Sequence, residues 1–357
     1  MLGGLLALLS AATFAFNNAA VRKGVLTGSV AQAMAITVPV GLPIFFLVAI
    51  PMGAFGPLMT FSLATWVWLS VAGVQHFILG RYCNYRATKA MGAVLTGPVQ
   101  QGGLVFTLAI AVIALGEALT PLRIIGILLV VGGPALSLHE GLSVRKAAKA
   151  AKAAKAAKAD PADVSTAGDA TILKVGEKAE EAKPVFKPAY FEGYLFATIS
   201  AAAQGTSPIL VRFALEHQGL AGSIAGGLIS YGAATVFFCL FLLWPGQLRH
   251  VMEIKPVAAK WFTISGLFVG FSQLFRYMAL SIAPVSVVTP IQRLSLLFRV
   301  YFAKVLTRDH EVLEGKVILG TVISLLGTLA LSISTDLVLE YVPLPDFIVA
   351  IAHWHWP

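Results

Sequence analysis

The strongest constraint on the fold of this chain is a series of apolar segments, each of about 20 residues, that recurs along most of the sequence. A helix of that length crosses the hydrocarbon core of a bilayer. Hydrophobic residues make up 57% of the sequence and charged residues only 12%, whereas an average soluble domain has about 25% charged residues. Because a water-soluble fold cannot bury so much apolar surface, the sequence predicts an all-α polytopic membrane protein. A membrane β-barrel would instead show alternating segments of about 10 residues.

Ten transmembrane helices are predicted, in two groups of five that are separated by a polar segment. The first group lies near 2–22, 29–51, 63–86, 91–115 and 120–138, and the second near 190–213, 221–244, 259–281, 285–306 and 313–334. The predicted domains are a first unit at 1–139, a linker at 140–188, a second unit at 189–335 and a C-terminal tail at 336–357.

The linker is rich in alanine and lysine and contains the run RKAAKAAKAAKAAKAD. Its regularly spaced lysines wind around a helix axis and repel one another, which predicts a loosely helical or disordered segment near anionic lipid headgroups. Most other basic residues flank loops on the same side. The positive-inside rule therefore predicts a cytoplasmic linker, with both termini outside, in a multi-pass protein of the cell membrane. The net charge of +9 then requires no nucleic-acid partner.

The two groups of spans are related in sequence. Trp66, Ser70, Arg81 and Tyr82 match Trp261, Ser265, Arg276 and Tyr277 at a constant offset of 195 residues. Further matches, in the same order, relate Ser10 and Arg22 to Ser200 and Arg212, and Glu117, Gly126 and Gly133 to Glu311, Gly320 and Gly327. Because each unit has an odd number of spans, the two copies enter the membrane in opposite orientations, which predicts two inverted-topology repeats. Such repeats are typical of secondary transporters that work by alternating access.

The second unit also resembles a known family. Its diagnostic residues are an Ala-Leu pair, a proline that opens the next helix, a glutamate and two glycines, here Ala279, Leu280, Pro290, Glu311, Gly320 and Gly327. This pattern resembles the EamA-like repeat of the drug/metabolite transporter superfamily. The first unit departs from it, because Asn84 and Tyr85 stand at the Ala-Leu position. The resemblance implies ten spans, a central cavity, and import or export of a small metabolite; members of the family are usually drawn with both termini inside.

Arginines inside the predicted spans are the strongest candidates for a binding site. A guanidinium in hydrocarbon costs roughly 2.5–3.5 kcal/mol on insertion scales, so an arginine that is kept there indicates a function. Arg293 lies well inside the ninth span, and Arg276 lies towards the face that is poor in basic residues. Arg81 is either a substrate contact or a side chain that snorkels to the surface. Arg299 lies near the end of its span and is predicted to snorkel.

Polar side chains on the same spans complete the predicted cavity. Ser70 and Arg81 are 11 residues apart, which places them on one face of an α-helix. His76 has no evident partner and is predicted to be a packed histidine. The other candidate contacts are Gln292, Gln101, Gln100, Thr289, Asn17, Asn18 and Gln204. Such side chains, together with arginine, suit a small carboxylate or phosphate.

Prolines, acidic residues and glycines at the span ends give further expectations. Pro98 and Pro290 are each predicted to open a helix inside the bundle, where free N–H groups would face an anion. Glu117 and Glu311 are expected to be first-turn acids of their own helices. The glycines of GTVISLLG are predicted to form a helix-packing seam.

Three functions remain open from the sequence. The favoured one is a secondary transporter of a small anionic or zwitterionic metabolite, such as an amino acid or organic acid, since the spans offer arginines and no acid to balance a cation. The alternatives are a broad-range exporter of drugs or neutral metabolites with structural arginines, and a membrane scaffold or sensor that acts through the basic linker. The sequence predicts no enzyme activity, cofactor or metal site. The expected partners are a small-molecule substrate and the lipid bilayer, and a coupling ion is left open.

Overall fold

The computed structural model describes residues 2–115, 120–157, 186–215, 218–282, 288 and 291–332. In these ranges the regular elements are helical. Several predicted features lie outside the described residues, namely Glu117, Thr289, Pro290, the linker from 158 to 185 and the C-terminal tail.

The α-helices of the described ranges run in chain order through both units. They are α1 (Leu2–Gly24), α2 (Val30–Thr37), α3 (Gly41–Ala49), α4 (Phe55–Thr60), α5 (Leu63–Gly73), α6 (Arg81–Met91), α7 (Ala93–Gln101), α8 (Gly103–Leu115), α9 (Pro121–Ala157), α10 (Tyr190–Leu215), α11 (Gly219–Leu242), α12 (Gln247–Met252), α13 (Pro256–Ile282), α14 (Ser295–Leu306) and α15 (Gly315–Ser332). A π-helical turn, Val74–Gly80, joins α5 to α6, and a 3-10 turn, Arg308–His310, precedes α15.

Seven helical segments of the described ranges are long and apolar enough to cross a membrane. They are Leu2–Gly24, Val30–Ala49, Leu63–Met91, Ala93–Ile110, Pro121–His139, Gly219–Leu242 and Gly315–Ser332. The remaining predicted spans fall on α10, α13 and α14. The apolar, helical architecture is therefore confirmed, while the number of ten spans stays a prediction.

Helix α9 continues beyond its membrane-spanning window. The window ends at His139, and the helix reaches Ala157 without a break. The first part of the predicted linker is therefore helical, in line with the high helix propensity of alanine and lysine. At about 1.5 Å per residue, this extension is roughly 27 Å long.

Local sequence explains where several helices begin. Ser29 Oγ accepts the Gln32 N–H and the Gln32 side chain accepts the Ser29 N–H, which is a capping box at the start of α2. Ser62 Oγ accepts the Thr65 N–H at the start of α5. Gly92 separates α6 from α7 with a φ of 91°, a conformation that favours glycine. These residues fix the turns at the ends of the spans.

Helices α9 and α15 pack along a seam of glycines that the sequence repeat relates to one another. A Cβ built on Gly133 would lie 2.3 Å from the carbonyl oxygen of Gly320, and one built on Gly320 would lie 2.5 Å from the carbonyl oxygen of Gly133. Gly126 and Gly327 approach each other in the same way. The predicted packing seam is confirmed, because only hydrogen side chains permit this backbone contact.

The first helix of each unit packs on the third span of the other unit. On one side α1 lies along α13, where Ser10 Oγ donates to the Ser272 carbonyl oxygen at 2.9 Å and Ser272 Oγ donates to the Ser10 carbonyl oxygen at 2.9 Å. On the other side α10 lies along the π-helical turn and α6, and Ser200 Oγ donates to the Gly80 carbonyl oxygen of the turn at 2.7 Å. Since Ser10 and Ser200 are repeat-related, the two interfaces occupy corresponding places in the two units, although their hydrogen bonds differ.

Candidate functional site

A small polar cavity lies between the two units, where α1, the π-helical turn, α6, α10 and α13 meet. Its lining residues are Phe14, Asn17, His76, Arg81, Asn84, Tyr85, Gln204, Val269 and Gln273. The cavity volume is about 20 Å³, which is room for about one water molecule, so the site has no space for a metabolite in this conformation. A larger groove of about 340 Å³ lies on the outside of α9 and α10, but its walls are almost wholly apolar and suit lipid better than a polar ligand.

The π-helical turn brings His76 to the cavity wall and directly precedes Arg81. Its wider i→i+5 winding is rare and is often found at functional sites. The prediction that Ser70 and Arg81 share an α-helical face is wrong, because this turn lies between them and changes the number of residues per turn. His76, which the sequence predicts to be a packed histidine, is one of the residues that line the cavity.

Arg81 is held inside the bundle by several groups. The residue is 5% exposed; its Nη1 donates to the Thr37 carbonyl oxygen at 2.6 Å, and its Nη2 donates to the Tyr231 hydroxyl at 3.2 Å. The guanidinium carbon also lies 5.0 Å from the centre of the Phe77 ring. Arg81 therefore does not snorkel, and it presents its charge to the cavity from a fixed position.

Two polar groups in the cavity wall have no hydrogen-bond partner in the described part of the chain, namely Asn84 Oδ1 and the Tyr85 hydroxyl. Asn84 is 3% exposed and Tyr85 is 1% exposed. A buried polar group left in this state costs about 1–3 kcal/mol. Because Asn84 Nδ2 donates to Asn18 Oδ1 at 3.1 Å, the amide is oriented with its oxygen free. The wall thus offers an acceptor and a hydroxyl to an occupant of the cavity.

Two of the predicted amide contacts, Asn17 and Gln204, also line the cavity. Asn17 Oδ1 accepts a hydrogen bond from Ser265 Oγ at 2.6 Å. Gln204 Nε2 donates to Ser200 Oγ at 2.9 Å and to the Gly80 carbonyl oxygen at 3.3 Å. Both units therefore contribute polar side chains to this cavity.

Arg276 adds a second positive charge beside the cavity. It is half-buried on α13 and interacts electrostatically with His76, Tyr277 and Arg293. Within the described residues the cavity wall contains no aspartate or glutamate. The field at the site is therefore positive.

Arg293 and Gln292 lie next to this site without lining it. Arg293 Nη1 lies 3.4 Å from Gln101 Oε1, to which it donates, and Gln292 Nε2 donates to Ser10 Oγ at 3.3 Å. These contacts place both residues between the units. They do not bring Arg293, one of the arginines that the sequence predicts as substrate contacts, to the cavity wall.

Arg299 is buried, which makes the prediction of a snorkelling side chain wrong. The residue is 3% exposed, and its Nη2 donates to Gln100 Oε1 at 3.2 Å. Gln100 Nε2 in turn donates to Ser200 Oγ at 3.0 Å. The position of Arg299 near the end of its span was compatible with snorkelling, but α7 packs over that face of α14 and separates it from the surface.

The prediction that Pro98 opens a helix is wrong, because Pro98 lies inside α7, which begins at Ala93. The carboxylate of Glu311 lies at the N-terminus of α7. Its Oε1 accepts the Ala93 N–H at 2.8 Å, and its Oε2 accepts the Val94 N–H at 3.0 Å. The carboxylate therefore caps a helix of the other unit instead of its own. The free N–H groups that would attract an anion are already satisfied there.

Arg22 binds the same carboxylate, and together they form the Arg22–Glu311 junction. Arg22 Nε lies 3.4 Å from Glu311 Oε1, and the two side chains are 1% and 0% exposed. The guanidinium also donates to the carbonyl oxygens of Thr88 at 3.0 Å and His310 at 2.5 Å, and it lies 4.2 Å from the centre of the Phe186 ring. Burial raises the pKa of the Glu311 carboxyl, and the charge of Arg22 acts in the opposite direction. The junction ties the two units together at the face that carries the linker.

Sequence reasoning did not select several residues of the cavity wall. These are Phe14, His76, Asn84, Tyr85 and Gln273. A signal existed for two of them, because Asn84 and Tyr85 replace the Ala-Leu pair of the second unit. Polar residues at this apolar position of the motif mark the part of the first unit that faces the cavity.

Comparison with known proteins identifies both units. A family model described as the EamA-like transporter family matches residues 1–138 and 191–333. No curated protein matches the chain. One solved structure, described only as the crystal structure of a protein, shares 15% sequence identity with a TM-score of 0.49, and the alignment covers 92% of this chain and 94% of that one.

Proposed function

Because this chain belongs to the EamA-like transporter family, we propose that it is a secondary transporter that moves a small anionic or zwitterionic metabolite, such as an amino acid or organic acid, by alternating access. In this proposal the two units are inverted repeats of five spans each, at 1–139 and 189–335. The binding site is the cavity between them.

The observation that carries the proposal is the narrow, positive cavity at the interface of the two units. Secondary transporters bind their substrates near the middle of the membrane where repeats meet. Arg81 and Arg276 favour a carboxylate or phosphate, and the cavity wall within the described residues has no acid that would balance a cation. The free Asn84 oxygen could accept a hydrogen bond from an ammonium or hydroxyl group of the same substrate. Because the cavity holds only about one water, binding requires the units to move apart.

We propose that the protein lies in the cell membrane with its linker, residues 140–188, in the cytoplasm and both termini outside. The linker lysines would then lie near anionic lipid headgroups. Reporter fusions at each terminus and within the linker test this orientation, and a cytoplasmic signal from either terminus would contradict it.

The transport proposal is tested with purified protein in two steps. A metabolite library is screened by thermal shift, since a ligand that binds only the folded state raises the unfolding midpoint. Compounds that raise the midpoint are then assayed for counterflow in proteoliposomes. Arg276→Gln should abolish counterflow, whereas Lys260→Gln, which removes an exposed charge from the same helix α13, should leave it unchanged.

Two other results would replace this proposal. Transport of many compounds without regard to their charge, unchanged in Arg276→Gln, would favour a broad-range exporter. Deletion of residues 147–185 that abolishes a cellular phenotype while leaving transport intact would favour signalling through the linker.

A further inference from the structure

We propose that Arg299 and Gln100 form a second anion-binding site, which we call the Arg299 station, on the route from the central cavity to the face that carries the linker. Its ligand would be the carboxylate or phosphate group of a substrate in transit. This inference rests on the transport function proposed above. It assigns a binding role to a residue that lies outside the cavity wall.

The first argument is that Arg299 is buried without a full set of hydrogen-bond acceptors. Only Nη2 has a partner, Gln100 Oε1 at 3.2 Å, while Nε and Nη1 have none among the residues that the structure describes. The residue is 3% exposed. Buried cations are normally paired, because an uncompensated one is strongly destabilising. Two unsatisfied donors on a buried cation therefore indicate a ligand that the protein itself does not supply.

The second argument is the position of Arg299 relative to the cavity. Its guanidinium carbon lies 5.8 Å from the centre of the Phe14 ring, and Phe14 lines the cavity. One aromatic side chain thus separates the two positive sites. Gly97 leaves the space that the arginine occupies, because a Cβ there would lie 3.1 Å from Arg299 Cδ and 3.4 Å from its Nη1. Rotation of Phe14 would connect the cavity with the station.

The third argument concerns the acid that interacts with Arg299 over a distance. Glu311 is that acid, but its oxygens already bind the N–H groups of Ala93 and Val94 and form the ion pair with Arg22. No ion pair between Glu311 and Arg299 is formed in the described structure. The Glu311 carboxylate thus offsets part of the positive charge of Arg299 but accepts no hydrogen bond from Arg299 Nε or Nη1. An anion that passes Phe14 would find them available.

The station is tested with acetate, the smallest carboxylate probe, against acetamide, which has the same shape and no charge. The thermal unfolding midpoint of the purified full chain is measured as acetate is titrated, with ionic strength held constant by sodium chloride, whose anion carries no carboxylate. The variants are Arg299→Met, which removes the charge at similar length, Arg299→Lys, which keeps it, and Lys304→Gln, which removes an exposed charge from the same helix.

The expected results separate a binding role from a structural one. Acetate, and not acetamide, should raise the midpoint of the wild type and of Lys304→Gln equally. Arg299→Met should lose at least half of that rise while its midpoint without acetate is equal to or higher than that of the wild type, because an unsatisfied buried charge has been removed. Arg299→Lys should keep part of the rise.

Either of two results would overturn the station. One is an Arg299→Met variant with a lowered midpoint and a full response to acetate, which would make the arginine structural. The other is a wild type that does not respond to acetate at all. If anions are transported but the acetate response is independent of Arg299, only the station fails. If no charged metabolite is transported in proteoliposomes, the proposed function fails whatever acetate does.

Discussion

Replacing Glu311 with glutamine should destabilise the protein strongly, because it leaves Arg22 buried without its counter-charge. Glutamine keeps one oxygen that can accept the Ala93 N–H, now bonded at 2.8 Å, but it offers no second acceptor to Val94. Removing one partner of a buried ion pair costs about 3–5 kcal/mol. Glu311→Ala should cost more, because both N–H groups then lose their acceptor at about 1–3 kcal/mol each.

A double-mutant cycle isolates the interaction itself. Arg22→Met combined with Glu311→Gln removes both charges, so the double variant should be more stable than the sum of the single effects predicts. We expect a coupling energy of about 2–3 kcal/mol. The double variant should not regain wild-type stability, because the carbonyl oxygens of Thr88 and His310 also lose their donor.

The assay is reversible unfolding of the purified protein in mixed micelles, with sodium dodecyl sulfate as denaturant and circular dichroism as the signal. The matched control is the same cycle at Arg249 and Glu253, an ion pair of 2.9 Å whose side chains are 86% and 61% exposed. An exposed helical pair of this kind should couple by only about 0.3–0.5 kcal/mol. A coupling as small at the Arg22–Glu311 junction would refute the reasoning.

Four further substitutions test local geometry. Gly133→Ala places a Cβ 2.3 Å from a carbonyl oxygen of the facing helix and should lower the thermal unfolding midpoint. Its control is Gly132→Ala, whose added Cβ would have no atom within 4 Å. Gly132→Ala should raise the midpoint, because alanine stabilises a helix by about 0.5–1 kcal/mol relative to glycine. Gly92→Ala combines a φ of 91° with a Cβ 2.4 Å from Glu311 Oε2, so it should sharply reduce the yield of monodisperse protein in size-exclusion chromatography. Tyr85→Phe removes a hydroxyl that has no partner among the described residues; it should maintain or raise the midpoint while weakening the thermal-shift response to substrates.

The membrane architecture could be predicted from the sequence because it depends on the length and composition of each segment taken separately. The repeat-related glycines could also be assigned, since four small residues at matching positions indicate a close helix contact before the partner helix is known. Gly133 and Gly320 meet in this way. The C-terminal end of α9 could not be predicted, because the sequence of the lysine run is compatible with both a helix and a disordered segment.

Part of the polar lining of the cavity could be predicted from the sequence. Asn17, Arg81 and Gln204 were selected because polar groups inside spans are costly, and all three line the cavity. Asn84 and Tyr85 were noted only as departures from a family motif. Their role depends on which neighbour they face, and the π-helical turn before them sets that direction in a way that α-helical periodicity cannot predict.

Three of the wrong predictions share a physical cause, which is contact between the two units. The position of Arg299 near the end of its span predicts a snorkelling side chain, but α7 packs over that side chain. Local preference suggested that Pro98 opens a helix and that Glu311 caps its own, but the carboxylate reaches across to Ala93 of the other unit. Local sequence rules describe one segment at a time, whereas the surroundings of these three residues depend on groups about 200 positions away along the chain.

The π-helical turn also breaks the equivalence of the two third spans. Residues 66–82 and 261–277 align without a gap, yet α13 is a continuous α-helix, whereas the first unit is underwound between α5 and α6. The same number of residues therefore turns through a smaller angle, so Arg81 points towards α2 while its counterpart Arg276 remains half-buried beside the cavity. In the alternating-access cycle proposed above, an exchange of conformations between the two halves would wind one third span and unwind the other. Helix torsion, and not only the tilting of rigid helices, would then be a moving part of this protein.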